Sequence, residues 1–427
     1  MTSSSPCFPA EINFLIIDQL AQADDTATLL SCSLVCRSWL PAARARLFGS
    51  IKVVTAANGR LDAFANFLAR CRDVCPLIRD LTLSCEPAAR PEDKRVSERL
   101  SWPHFRTVVF MLPRLRSLTL NGISIIPGAS SWLGSDSAAR PTVHSLRMTG
   151  CQLHDLDMTS ALDVLRIFSR VDNLSFGGFW SMAHTRPLPA IATRSTAIRR
   201  VHCDSLGAQA AQFFCYFLGP PRGDPLRSIH LTWYSWAEVE AYRSFLNGHA
   251  QNLKHLELEP TDEFWTRRIS KFSLWAAFGD ILSKSAQLES LCLHARCGYL
   301  SHTVDSARCL SAILDVYEAL LSRGPPPLAL RKLTLKIPIY PKGTSGDRSW
   351  NAMFRAGDAW RSFDAALAAV QSLTSVVLEL QTPGSLALDA SVMDESALSI
   401  RRALPQVDAK GILRIGFTVC SGRLDGS

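Results

Sequence analysis

Three histidines are the residues of this 427-residue chain that read best as a chemical group. His202, His230 and His255 are read as equivalent positions of consecutive repeats. Adjacent strands of a sheet lie about 5 Å apart, so three stacked imidazoles could gather on a metal ion and support a metal-dependent hydrolase. No ordering carboxylate is legible behind them, which makes coincidence of repeat position the plainer account. Other chemistry is weaker still. Cys32 and Cys36, like Cys71 and Cys75, have helical spacing without the second pair of a zinc site, and read as small buried residues. There is no P-loop, dinucleotide fingerprint, His-Glu-x-x-His or Gly-x-Ser-x-Gly sequence, and Gly343-Thr344-Ser345-Gly346 lacks the spacing of a nucleophile elbow. No catalytic residue, cofactor or metal is therefore expected, and the chain is not expected to be an enzyme.

The elements that carry these histidines form a series. A six-residue pattern, aliphatic-x-x-aliphatic-x-apolar, recurs from Ile78–Leu83 and Leu115–Leu120 through Val143–Met148, Val171–Phe176 and Ile198–Cys203. It continues in Leu226–Leu231, Leu253–Leu258, Leu288–Leu293, Leu330–Leu335 and Leu373–Leu378, with Ile412–Phe417 as a last copy. From Leu115 to Leu253 the steps are 28, 28, 27, 28 and 27 residues, and the later ones stretch to 35, 42, 43 and 39. Segments of helical period lie between the copies, at 161–170, 208–218, 237–246, 274–282, 310–321 and 360–373. Insertions are expected near 84–104, 121–142 and 337–351.

A short strand followed by a helix at this period resembles the leucine-rich repeats, in which no repeat buries its apolar face until neighbours stack. Val143-x-x-Leu146-x-Met148-x-x-Cys151-x-Leu153 completes the longer family signature, with Cys151 at the turn position. The expected class is α/β: an irregular leucine-rich-repeat-like solenoid over 51–427, with a parallel strand ladder inside and helices outside. Strand alternation then puts Arg147, Asn173, Arg200, His202, Asp204, Ser228, His230, Thr232, His255, Glu257, His294, Lys332, Thr334 and Lys336 on one open, concave surface. Arg147 and Arg200 make its first half basic, Glu257 and Glu259 its middle acidic, and Lys332 and Lys336 its end basic. Such alternation suits a protein partner better than a uniform polyanion. Arg147, Arg200, His202, His230, His255, Glu257, Lys332 and Lys336 are nominated as target contacts.

The start of the chain is different. Ile12, Leu15, Ile16 and Leu20 share one face of a first helix, with Pro9 at its first position. Asp24-Asp25 offers an N-cap for a second helix carrying Leu29, Leu30 and Cys32, and Pro41 should restart a third. Three short helices bury too little to stand alone. The order Phe8-Pro9-Ala10-Glu11-Ile12, spaced aliphatics, then Leu34-Val35-Cys36-Arg37-Ser38-Trp39 resembles an F-box, of the kind that opens many proteins of mushroom-forming fungi. Phe8 stands where Leu is commoner. The resemblance implies an F-box-like domain at 1–50 that binds a Skp-type adaptor and, through it, a cullin ubiquitin ligase. It nominates Phe8, Pro9, Ile12, Ile16, Leu20, Leu29, Val35, Cys36 and Trp39 as the adaptor surface or its support. The chain would then be the substrate receptor of an SCF-type ligase, with a target protein that the sequence does not name. The rival is a leucine-rich-repeat scaffold whose first helices merely cap the solenoid.

Composition agrees with a large buried core, at 47% hydrophobic residues. A net charge of +8 is modest, and only nine of the 46 basic residues are Lys; scattered Arg makes no nucleic-acid stripe. Arg37, Arg44 and Arg46 read as a solvated helix face. No apolar run spans a membrane, the first residues lack a signal peptide, and 13 dispersed cysteines argue for a reducing compartment. A cytoplasmic or nuclear protein is expected.

Overall fold

The computed structural model describes residues 10–22, 25–35, 37–54, 60–85, 99–100, 102–125, 140–153, 159–178, 196–204, 226–233, 235–260, 272–295, 306–322, 324, 327–338, 357–383 and 390–420. The chain divides into two compact units, Met1–Ala197 and Ile198–Ser427.

The first unit opens with three helices, α1 (Ala10–Gln22), α2 (Thr26–Val35) and α3 (Leu40–Leu47). Asp25 caps α2 as its sequence suggests: its carboxylate accepts from the Thr28 backbone N–H at 3.0 Å and from the Thr28 hydroxyl. Those bonds, the side-chain one foremost, hold the Asp25 carboxyl below its ordinary range. Pro41 sits in the first turn of α3, where its missing N–H has no intrahelical role. Beyond them come β1 (Ser50–Val54), α4 (Arg60–Arg70), β2 (Asp80–Ser84), β3 (Arg99–Leu100), α5 (Trp102–Met111), β4 (Ser117–Asn121) and β5 (Ser124–Ile125). β6 (Thr142–Thr149), β7 (Gln152–Leu153), α6 (Thr159–Arg166) and β8 (Arg170–Gly177) complete the unit.

β1, β2, β4, β6 and β8 pair in that order, all parallel. The short β3, β5 and β7 form a second parallel ladder. The turn between the two ladders explains Gly150 and Cys151. Gly150 has φ +59°, a left-handed conformation in which a Cβ is strained, and its N–H reaches Gly177 O at 2.9 Å. Cys151 is buried and its thiol donates to the Leu120 carbonyl at 3.5 Å, which satisfies a backbone oxygen beside the turn. Burial pushes this thiol up to about 12.

The second unit holds β9 (Ala197–Asp204), β10 (Ser228–Trp233), α7 (Trp236–His249), β11 (His255–Pro260), α8 (Phe272–Lys284), β12 (Ser290–His294) and α9 (Ser306–Ser322). It continues with β13 (Lys332–Pro338), α10 (Gly357–Ala369), β14 (Ser375–Pro383), α11 (Ala390–Ala403), α12 (Pro405–Ala409) and β15 (Leu413–Cys420). The strands β9 to β15 lie in chain order, again all parallel. A strictly sequential order within each unit is not that of a doubly wound sheet, whose order reverses at a switch point. Successive helices α7 to α10 pack on one another. Ser235-Trp236-Ala237-Glu238 makes a capping box that starts α7 immediately after β10.

Burial follows the hexads. Leu118 and Leu120 are buried while Ser117 and Thr119 are half-buried and Asn121 is exposed. In the second unit Ile229, Leu231, Leu256, Leu258, Leu291, Leu293, Leu333 and Leu335 turn inward, and Trp233 stacks with Phe278 at 6.3 Å. The helices expected at 237–246, 274–282, 310–321 and 360–373 correspond to α7, α8, α9 and α10, and that at 161–170 to α6, which ends at Arg166 because β8 begins four residues later. The helix expected at 208–218 falls outside the described residues, as do most of the three expected insertions.

Candidate functional site

Among the described residues, two groups of side chains stand out, and the first lies on α1 to α3. These helices have a small core of their own: Ile17, Leu29, Cys32, Ala42 and Ala43, with Leu20, Ala21, Trp39 and Leu47 against it. Arg46 pairs with Asp18 across α3 and α1 at 2.6 Å, and Arg44 with Asp73 at 3.0 Å, so both arginines have carboxylate partners. Arg37 is exposed. The stripe Ile12, Leu15 and Ile16 does not enter the core; it faces solvent, joined by Phe14, Leu30, Leu34 and Val35, with Leu34 86% exposed. Helix α1 is apolar on more than one side, and a single small core consumes only the side centred on Ile17.

Of the nine residues nominated for an adaptor, Ile12, Ile16 and Val35 are exposed, Leu29 is core, and Leu20 and Trp39 support that core. Phe8, Pro9 and Cys36 lie outside the described residues. Phe14, Leu15, Leu30 and Leu34 belong to the exposed set without having been nominated. Their signal was their number: more apolar positions than three short helices can bury.

The second group lies on the open side of the second-unit ladder. Register places His202, His230, Glu257, Cys292 and Thr334 in one row, and Asp204, Thr232, Glu259, His294 and Lys336 in the next. This corrects the histidine set: His255 pairs with Ser228, two residues before Glu257, and is exposed. It is the third residue of its hexad, whereas His202 and His230 are fifth.

The two rows interlock through long side chains. His230 Nε2 lies 2.8 Å from Glu259 Oε2, and its Nδ1 3.6 Å from Glu257 Oε2. His294 Nε2 lies 2.6 Å from Glu257 Oε1, and its Nδ1 3.8 Å from Glu259 Oε1. Lys336 Nζ donates to Glu257 Oε1 at 2.7 Å, and the Cys292 thiol approaches the same oxygen at 3.5 Å. The His202 ring lies 4.0 Å from that of His230. Tyr317, from α9, donates to the His294 carbonyl at 2.6 Å and fixes the end of β12.

Glu259 and His294 are buried, and His230, Glu257 and Lys336 half-buried. Burial alone would raise the Glu257 carboxyl; the hydrogen bond from His294, the charge of His230 and the Lys336 ammonium together hold it well below the usual carboxylate range. Burial works against the Lys336 ammonium, yet Glu257 and neighbouring groups raise it overall. Burial and the Glu257 carboxylate push the Cys292 thiol up to about 12.

The remaining nominated target residues are separate. Arg147 is exposed on β6 of the first unit, and Arg200 and Lys332 are exposed on β9 and β13. The acidic middle and the far basic residue are not two free patches, because Lys336 folds onto Glu257. Among the described residues no helix is long and apolar enough to cross a membrane. No family model matches the chain, and no curated protein matches it.

Proposed function

We propose that the chain is a non-catalytic recruiter, the substrate receptor of a cullin-based ubiquitin ligase. Helices α1 to α3 bind a Skp-type adaptor, and the open face of a leucine-rich-repeat-like ladder binds a target protein. The observation that carries this reading is the surplus apolar surface of Ile12, Phe14, Leu15, Ile16, Leu30, Leu34 and Val35 on helices that already have a core. Exposed apolar residues gathered on one small element mark a place where another macromolecule excludes water. The F-box-like order of residues around 8–39 gives that partner its class. Ubiquitin transfer belongs to other subunits, and what this chain contributes is proximity.

The test is binding of the full chain to a purified Skp-type adaptor. A stable complex is expected, lost in the Ile16→Asp/Leu34→Asp variant, whose helical content stays that of the parent because both side chains lie outside the core. Failure of the intact chain to bind the adaptor overturns the ligase reading and leaves a binding scaffold.

A further inference from the structure

Among the described residues, titratable side chains converge where β10, β11 and β12 run side by side. One ligand atom from each of His230, Glu259 and His294 lies within 4.8 Å of the other two. We propose that these three side chains form a divalent-metal site of the zinc class, with Glu257 at its border.

Three observations support it. Two imidazoles and a carboxylate are the donor set that suits zinc and its first-row neighbours; magnesium and calcium prefer oxygen alone. Each ring also turns both nitrogens toward a carboxylate, one at hydrogen-bond distance and one at 3.6 or 3.8 Å. Two ligands of a tetrahedral zinc stand about 3.3 Å apart, given bonds of roughly 2.0–2.1 Å. His230 Nε2 and Glu259 Oε2, at 2.8 Å, and His294 Nδ1 and Glu259 Oε1, at 3.8 Å, bracket that spacing.

The surroundings are those of a held site. Thr232 Oγ1 donates to Glu259 Oε2 at 3.4 Å, Lys336 clamps Glu257, and Tyr317 anchors the strand that carries His294. Outer partners of this kind orient ligands. Three protein ligands leave a fourth position for water. The site is independent of the adaptor reading, since α1 to α3 contribute nothing to it.

The experiment uses the full chain, stripped with chelator, kept reduced, and titrated with cobalt(II) chloride and zinc chloride by visible absorption and calorimetry. One bound equivalent is expected, with tetrahedral cobalt bands and no thiolate-to-cobalt charge-transfer band. His230→Ala, His294→Ala and the near-isosteric Glu259→Gln should each weaken binding by roughly 100-fold or more, beyond the loss an outer partner causes. His202→Ala should bind as the parent does, and circular dichroism confirms that each variant folds. Absence of stoichiometric metal in the parent overturns the site without any variant. So do a thiolate band, undiminished binding in the His230→Ala/His294→Ala double variant, or equal loss in His202→Ala.

Discussion

The first helices and the second-unit ladder invert the ordinary rule in opposite directions. On α1 and α2, Leu15, Leu34 and Val35 stand in water; on β11 and β12, Glu259 and His294 are taken out of it. Exposure of scattered apolar residues is common, but seven of them on two short helices, like a buried carboxylate, need a reason. The difference lies in what completes each region. The polar cluster is completed internally, by ammonium, imidazole and hydroxyl groups of neighbouring strands. The helices' own small core leaves the apolar set exposed, which is the surface the proposed adaptor would cover.

If that contrast is right, the polar cluster is the more fragile of the two. Lys336→Met removes the ammonium from Glu257 in a half-buried setting and should cost about 3 kcal/mol in urea unfolding. Adding Glu257→Gln should return much of it, because the second change removes the stranded charge. A loss below about 0.5 kcal/mol for Lys336→Met would show that water, not Lys336, stabilises Glu257.

The next effect is local to the helices. Leu29→Ala opens a cavity in a core of few residues and should cost about 2 kcal/mol. Hydrogen exchange should speed up in α1 to α3 and stay unchanged in β10 to β13, which fold around another core. The smallest stability effect belongs to Ile16→Asp. It should move unfolding by no more than about 0.5 kcal/mol, since the side chain lies outside the core. A marked stability loss there would mean that the stripe packs within the chain and is not a docking surface.

How much of this could be read beforehand depended on the range of the interaction. Alternation along a strand is local, so the inward Leu118 and Leu120 and the outward His230, Glu257 and Lys336 were legible from the hexads. So was the Asp25 cap, whose partner is three residues away. The set His202, His230 and His255 failed because nearness of histidines in the repeats was taken for register. Counting hexad positions separates His255 from the other two. The contacts of Glu257 with His294 and Lys336 were out of reach for another reason. They run diagonally between rows, and side-chain length and direction, which the hexad does not encode, decide whether they meet. In the helices the apolar period was visible, but which face would turn inward was decided by the Ala42 and Ala43 surface that α3 offers to Ile17.

The sequential parallel ladder separates distance along the chain from distance in space. Glu259 and His294 are 35 residues apart and His294 and Lys336 are 42, yet each pair occupies neighbouring rungs. Lengthening a connection between two strands therefore leaves the order of side chains on the open face intact, whereas a slip of one residue inside a strand turns the whole row over. Insertions and deletions can accumulate in such a chain while the order of side chains on that face remains readable. Descent would be traced better by aligning rungs than by aligning whole sequences.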